Sequence, residues 1–269
     1  MRALPRLMVA PTGARRGKAD HPALPVTLPE IVETARACHE AGADGLHLHL
    51  RDTTGRHLLD AGAYREALAE LRGAVPEMAV QITTEAAGAY APPHQRAVAL
   101  AAGADLVSVA LREMAAEEAE APGFYAACAE RGIAVQHILY DAGDFDLLAR
   151  LVPEGLRDIA EVQLIFVLGR YSAGQESDAR DLGPFLDRLA ARERPADWAA
   201  CAFGRAETAC LRAAHAAGGK MRAGFENSLW HEDGRVARDN AERVRAVIGA
   251  CGLGWRDGLM GLGGHGRFR

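Results

Sequence analysis

His47 and His49 stand two residues apart in Gly45-Leu46-His47-Leu48-His49-Leu50-Arg51-Asp52, and a β-strand turns residues i and i+2 to one side. Two imidazoles aimed at one point can share a cation, and leucines 46, 48 and 50 mark the opposite face as the apolar one. Alone, the pair suits two polar core histidines equally well. A carboxylate far along the chain changes the balance. In Met221-Arg222-Ala223-Gly224-Phe225-Glu226 the same alternation puts Met221, Ala223 and Phe225 on one face and Arg222, Gly224 and Glu226 on the other. Two neutral imidazoles and one carboxylate leave a divalent ion open positions for substrate oxygens, the pattern of catalytic zinc and also of non-haem Fe(II). The competing reading pairs Glu226 with Arg222 and leaves the histidines bonded to backbone.

Bringing residue 226 to residue 47 requires a closed architecture, and the pattern of the chain predicts one. Short apolar runs at 7–10, 45–51, 79–84, 105–111, 134–140, 162–168, 198–203 and 220–225 read as strands. Alanine-rich segments of helical period follow each: 28–41, 61–72, 93–102, 122–131, 144–151, 182–191, 205–216 and 240–251. Glycines 42, 103, 132, 218 and 252 fall just past helix ends as C-caps. Eight such pairs predict an α/β fold, a (β/α)₈ TIM barrel, over a single domain 1–257, with a glycine-rich tail at 258–269 given no structure of its own. In such a barrel strands two and eight both neighbour strand one, and chemistry sits at the carboxyl ends of the strands. Parity adds Gln81, Thr83 and Glu85 on strand three and Ser108 on strand four to the inward polar set.

Composition narrows the function classes. With 269 residues, 49% of them hydrophobic, the chain can bury one large core. A net charge of -5 and no basic run argue against a nucleic-acid partner, with Ala14-Arg15-Arg16-Gly17-Lys18 as a local cluster only. No stretch has the length of a membrane span and the N-terminus has no long apolar region. Five cysteines without a C-x-x-C spacing point to a reduced, cytoplasmic setting. Gly13 to Lys18 lacks the spacing of a P-loop, and Gly261, Gly263 and Gly266 follow a helix and so make no dinucleotide fingerprint.

Stretches spread over most of the chain carry a family resemblance. They are Ala10-Pro11-Thr12-Gly13 with Lys18-Ala19-Asp20 and Pro25-Val26-Thr27; Ala41-Gly42-Ala43 leading to His47-x-His49-x-Arg51-Asp52 and Gly55-Arg56; Gln81-Ile82-Thr83-Thr84; Phe166-Val167-Leu168-Gly169; Gly204-Arg205; Gly218 to Asn227; Asp233-Gly234-Arg235; and Asn240-Ala241-Glu242. In these the chain resembles the β-keto acid cleavage enzymes, the family of 3-keto-5-aminohexanoate cleavage enzyme. The resemblance implies a zinc-dependent barrel, a homo-oligomer (a tetramer in the family), that condenses a β-keto acid with acetyl-CoA and releases acetoacetate and a new CoA thioester. It implies His47, His49 and Glu226 as metal ligands, Arg222 at the reacting centre, and Thr83 and Ser108 near hydroxyls that hold substrate oxygens.

Two positions depart from the family pattern. Asn227 follows Glu226 where many members have an aspartate proposed as general base, and an amide cannot accept that proton. Asn227 is left to orient a water or donate to an oxyanion. The acidic partner on strand five is missing, and the base candidates become His137 first, then Glu85 and Asp141, with Glu85 also a substrate contact. Ala14, Arg15, Ala110 and Leu111 are candidate specificity residues. The alternatives are a metal-dependent hydrolase of the amidohydrolase type and a metal-binding barrel that has lost catalysis.

Overall fold

The computed structural model describes residues 3–159 and 162–253, and the expected tail lies outside them. Eight parallel strands close into one barrel in chain order: β1 (Leu7–Val9), β2 (Gly45–Leu48), β3 (Ala79–Thr83), β4 (Leu106–Ala110), β5 (Ala134–Leu139), β6 (Val162–Leu168), β7 (Ala196–Ala202) and β8 (Lys220–Ala223). The ring closes where β1 pairs with β8 through Leu7 and Met221 and with β2 through Val9 and Leu46. The helices between and after them are α1 (Leu28–Glu40), α2 (Ala61–Ala74), α3 (Pro92–Ala101), α4 (Ala121–Glu130), α5 (Asp144–Leu151), α6 (Gly183–Ala190), α7 (Glu207–Ala216) and α8 (Asn240–Ala250). The predicted alternation therefore matches the structure. It missed short helices at 111–114 and 154–159 and a two-stranded ribbon pairing Leu50–Arg51 with His57–Leu58.

Strands buried on both faces read as nearly continuous apolar runs, and the register separates the two faces. Leu46, Leu48, Ile82, Val107, Val109, Leu164 and Phe166 pack outward against Ile31, Tyr64, Leu68 and Leu71 of the helices in one core. Inside, Leu4, Met8, Leu106 and Ala134 plug the amino end of the barrel. A second inner cluster of Ile165, Val167, Ala199, Cys201 and Phe203 lines β6, β7 and the segment beyond. Polar side chains fill the rest of the interior, and they carry the site. All five predicted C-cap glycines, 42, 103, 132, 218 and 252, have positive φ. All five cysteines are free, four of them buried. Among the described residues no helix is long and apolar enough to cross a membrane.

Candidate active site

The two histidines and the carboxylate meet, although by a less regular route than alternation along strands. β2 ends at Leu48 and β8 at Ala223, and both His49 and Glu226 lie past the strand ends. Glu226 is delivered by a turn in which Asn227 and Ser228 N–H donate to the Gly224 carbonyl. Gly224 has φ +133°, and a Cβ there would stand 2.5 Å from the Ala10 carbonyl oxygen. Only glycine lets β8 bend that closely over β1. The bend is held by buried acceptors: Gly224 N–H donates to Glu207 Oε1 at 3.2 Å and Phe225 N–H to Asn240 Oδ1 at 2.9 Å. The loop after β1 closes over it. A Cβ on Gly13 would lie 2.6 Å from Glu226 Cγ. Arg51 Nη2 donates to the Gly13 and Arg16 carbonyls at 2.6 and 2.8 Å, and Arg16 Nη1 to the Phe225 carbonyl at 2.6 Å.

His47 Nε2 lies 3.1 Å from His49 Nε2, and Glu226 Oε2 lies 3.7 and 3.5 Å from those two nitrogens. A tetrahedral centre with ligand bonds of about 2.0–2.1 Å separates its donor atoms by roughly 3.3 Å. The three edges bracket that value, so the donors fit a small divalent ion; they also form the one His/Cys/Asp/Glu group among the described residues close enough to hold one. Glu226 Oε2 is buried without a hydrogen-bond partner, as a ligand atom facing its ion would be. Glu226 Oε1 instead accepts from Arg222 Nη2 at 3.2 Å.

A chain of amides sets the protonation of His47. Gln136 Nε2 donates to the Leu164 carbonyl at 3.2 Å, and that carbonyl can only accept. Gln136 Oε1 therefore faces the Gln81 Nε2 donor at 2.9 Å, and Gln81 Oε1 faces His47 Nδ1 at 2.8 Å. His47 must carry its proton on Nδ1, which leaves the Nε2 lone pair aimed at His49 and Glu226. Burial, with Arg222 and His49 adding to it, holds the His47 imidazole well below its ordinary pKa. Burial likewise lowers His49 to about 4. Burial would raise the Glu226 carboxyl, but Arg222 and His49 outweigh it and keep it below the usual range. Near neutral pH the set is two neutral imidazoles and a carboxylate.

A cavity opens above these groups, about 690 Å³ counted out to open solvent. Thr83, Glu85, Arg222 and the three candidate ligands line it, as do Ala14, Arg15 and Ala110. Arg222 is buried, and its Nε has no partner among the described residues. Thr83 Oγ1 accepts from Glu85 N–H at 2.9 Å, which leaves the hydroxyl proton free to donate. Arg15 Nη1 donates to Glu85 Oε1 at 2.7 Å. Burial alone would raise the Glu85 carboxyl; His49 and Arg15 overcome it and hold the group below its ordinary value.

Other expected residues lie elsewhere. His137 is in register with Val109 and Leu164, which face the helices, so it is on the outer side of β5. Its ring packs 5.2 Å from Tyr125 of α4 and its Nδ1 is 3.0 Å from the Gln163 carbonyl, which corrects its assignment as base. Asp141 lies outside the cavity on Arg112. Ser108 is in register with Thr83 and Gln136 and buried, yet is not among the lining residues, and Leu111 packs in the outer core. Asn227 is fully buried away from the lining, with neither amide atom hydrogen-bonded among the described residues. The sequence reading assigned no role to Gln81 and Gln136, which the register of β3 and β5 puts inside, and it passed over Tyr140, Arg170, Gln175 and Phe203 of the wall.

The pattern of residues that defines the β-keto acid cleavage enzymes matches residues 6–253. The chain belongs to that family. Among β-keto acid cleavage enzymes and related proteins it is 26% identical, over 88% of its length and 87% of the relative's, to the 3-keto-5-aminohexanoate cleavage enzyme of Fusobacterium nucleatum. It is 24% identical, over 91% of its length and 87% of the relative's, to the 3-oxoadipate:acetyl-CoA acetyltransferase of Cupriavidus necator. Among solved structures, a ternary complex of ObcA with a C4-CoA adduct and oxalate superposes with a TM-score of 0.62 at 16% identity, over 86% of this chain and 65% of that longer one. KGPDC from Streptococcus mutans superposes with a TM-score of 0.55 at 17% identity, over 93% and 98%. At these identities the structural likeness supports the barrel fold.

Proposed function

We propose that the protein condenses a β-keto acid with acetyl-CoA at a divalent ion held by His47, His49 and Glu226, releasing acetoacetate and the CoA thioester of the remaining acyl group. Family membership supports the reaction class, and the observation that carries the site is the convergence of the three donor atoms at the floor of a cavity that also holds Arg222 and Glu85. The ion would act as a Lewis acid on the keto acid and make the carbon between its two carbonyls easier to deprotonate. Glu85 is the base of this reading, because among the described residues it and Glu226 are the carboxylates lining the cavity. Arg15 holds the Glu85 carboxylate in place. Once the proton is gone, the carbon attacks the acetyl thioester and CoA thiolate leaves. The thiolate then adds to the original ketone, and the old carbon–carbon bond breaks to return a carbanion that takes a proton and becomes acetoacetate. Arg222 supplies fixed positive charge to these anionic stages, and the Thr83 hydroxyl donates to a substrate oxygen.

Zinc as the ion and a homo-oligomeric assembly carry over from the resemblance, and a cytoplasmic location from the free cysteines, as parts of the same reading. The amidohydrolase alternative has less support, since its histidine pair belongs to strand one whereas His47 is on β2 and the carboxylate beyond β8 is a glutamate. Acetyl-CoA labelled in the acetyl group tests the proposal. Label recovered in acetoacetate together with a new CoA thioester is the expected result; label only in free acetate would refute the condensation.

A further inference from the structure

Four arginines line the cavity, and three of them are already engaged. Arg222 is on Glu226, Arg15 on Glu85, and Arg16 on the carbonyls of Phe225 and Glu226. The fourth, Arg170, lies just past the end of β6 and makes no ion pair or side-chain hydrogen bond among the described residues. Its guanidinium sits 5.3 Å from the centre of the Phe203 ring and 5.8 Å from that of Tyr171. Aromatic faces position a cation while leaving its N–H donors unused. The same cavity has an apolar wall formed by Ile138, Val167 and Phe203. The cavity thus combines the three candidate metal ligands, an apolar wall, and a cation without an ion pair among the described residues.

We propose that Arg170 selects β-keto acids bearing a second carboxylate, binding that distal group while the intervening methylenes lie on Ile138, Val167 and Phe203. The proposal rests on the reaction proposed above and names its substrate class. A planar guanidinium fits a carboxylate through two parallel N–H donors, and such charge-assisted bonds outrank neutral ones. The phosphates of CoA are the other anions at hand. They are separated from the thioester by the whole pantetheine arm, whereas Arg170 lines the same cavity as the reacting end.

The test compares a β-keto dicarboxylate with a β-keto acid of equal chain length and neutral tail, in the metal-loaded protein and in Arg170→Gln. Turnover is measured with acetyl-CoA and with acetyl-pantetheine, and binding of each keto acid alone is measured by calorimetry. The expected result is a wild-type preference for the dicarboxylate that Arg170→Gln reduces about 10- to 100-fold through KM and Kd, with less than about a threefold change for the neutral-tailed acid. The preference should be the same with acetyl-pantetheine. Equal losses on both acids, or a loss that vanishes with acetyl-pantetheine, would overturn the proposal and move Arg170 to CoA recognition. Selective binding lost in Arg170→Gln without any acetyl-CoA-dependent turnover would uphold the proposal and refute the reaction instead.

Discussion

The two halves of the barrel mouth are held by different forces. On the side of β1, β2, β3 and β8, hydrogen bonds fix nearly every functional group: Gln81 on His47, itself held by Gln136 reaching across from β5, Arg222 on Glu226, Arg15 on Glu85, and the backbone clamp of Arg51. On the side of β5, β6 and β7, Ile138, Val167 and Phe203 are placed by packing alone, in a cluster with Ile165, Ala199 and Cys201. A buried hydrogen-bonded array cannot lose a member without orphaning its partner, whereas a packed wall accepts apolar replacements of similar volume. In the proposed reading, chemistry is built on the half that resists change, and selectivity on the half that accommodates it.

The comparison breaks if substitutions on the two halves behave alike. The largest effect is expected at Glu85, where Glu85→Gln should lower turnover about 10²- to 10⁴-fold with metal content intact. A loss below about tenfold would remove it as the base. Arg222→Ala should cost about 10²- to 10³-fold in kcat, the usual effect of deleting one preorganised donor, and an unchanged kcat with raised KM would make it a binding group only. Gln81→Leu should weaken metal affinity about 10- to 100-fold by releasing the His47 tautomer, read by competition with a chelating dye; undiminished affinity would mean that the amide chain is only structural. The smallest effect belongs to the apolar half. Ile138→Ala should raise KM for the keto acid about tenfold and leave metal affinity unchanged, and a loss of metal there would erase the distinction between the halves.

What the sequence makes legible follows the same division. Periodicity identifies all eight strands and their helices because each strand must bury its outer face against a helix. His47, His49 and Arg222 are legible because alternation along β2 and β8 names them, and Glu226 because that alternation, carried past the end of β8, gives the right residue by a different route. The turn that finally delivers Glu226 is not, since it depends on the close approach of Gly224 to the Ala10 carbonyl. His137 fails for a different reason. Gln136 and His137 are adjacent and both polar, so composition cannot say which faces inward, and a shift of one residue exchanges the faces. The register with β4 and β6 decides for Gln136. Arg170 and Phe203 lie beyond strand ends, where alternation stops and only the converged loops show what shares a wall.

The central claim is that His47, His49 and Glu226 hold one divalent ion, and elemental analysis of the purified protein beside Glu226→Ala and His49→Ala tests it most directly. The account predicts about one equivalent per wild-type chain and loss of metal in both variants, with their circular dichroism unchanged. A full equivalent retained in folded Glu226→Ala and His49→Ala would contradict it.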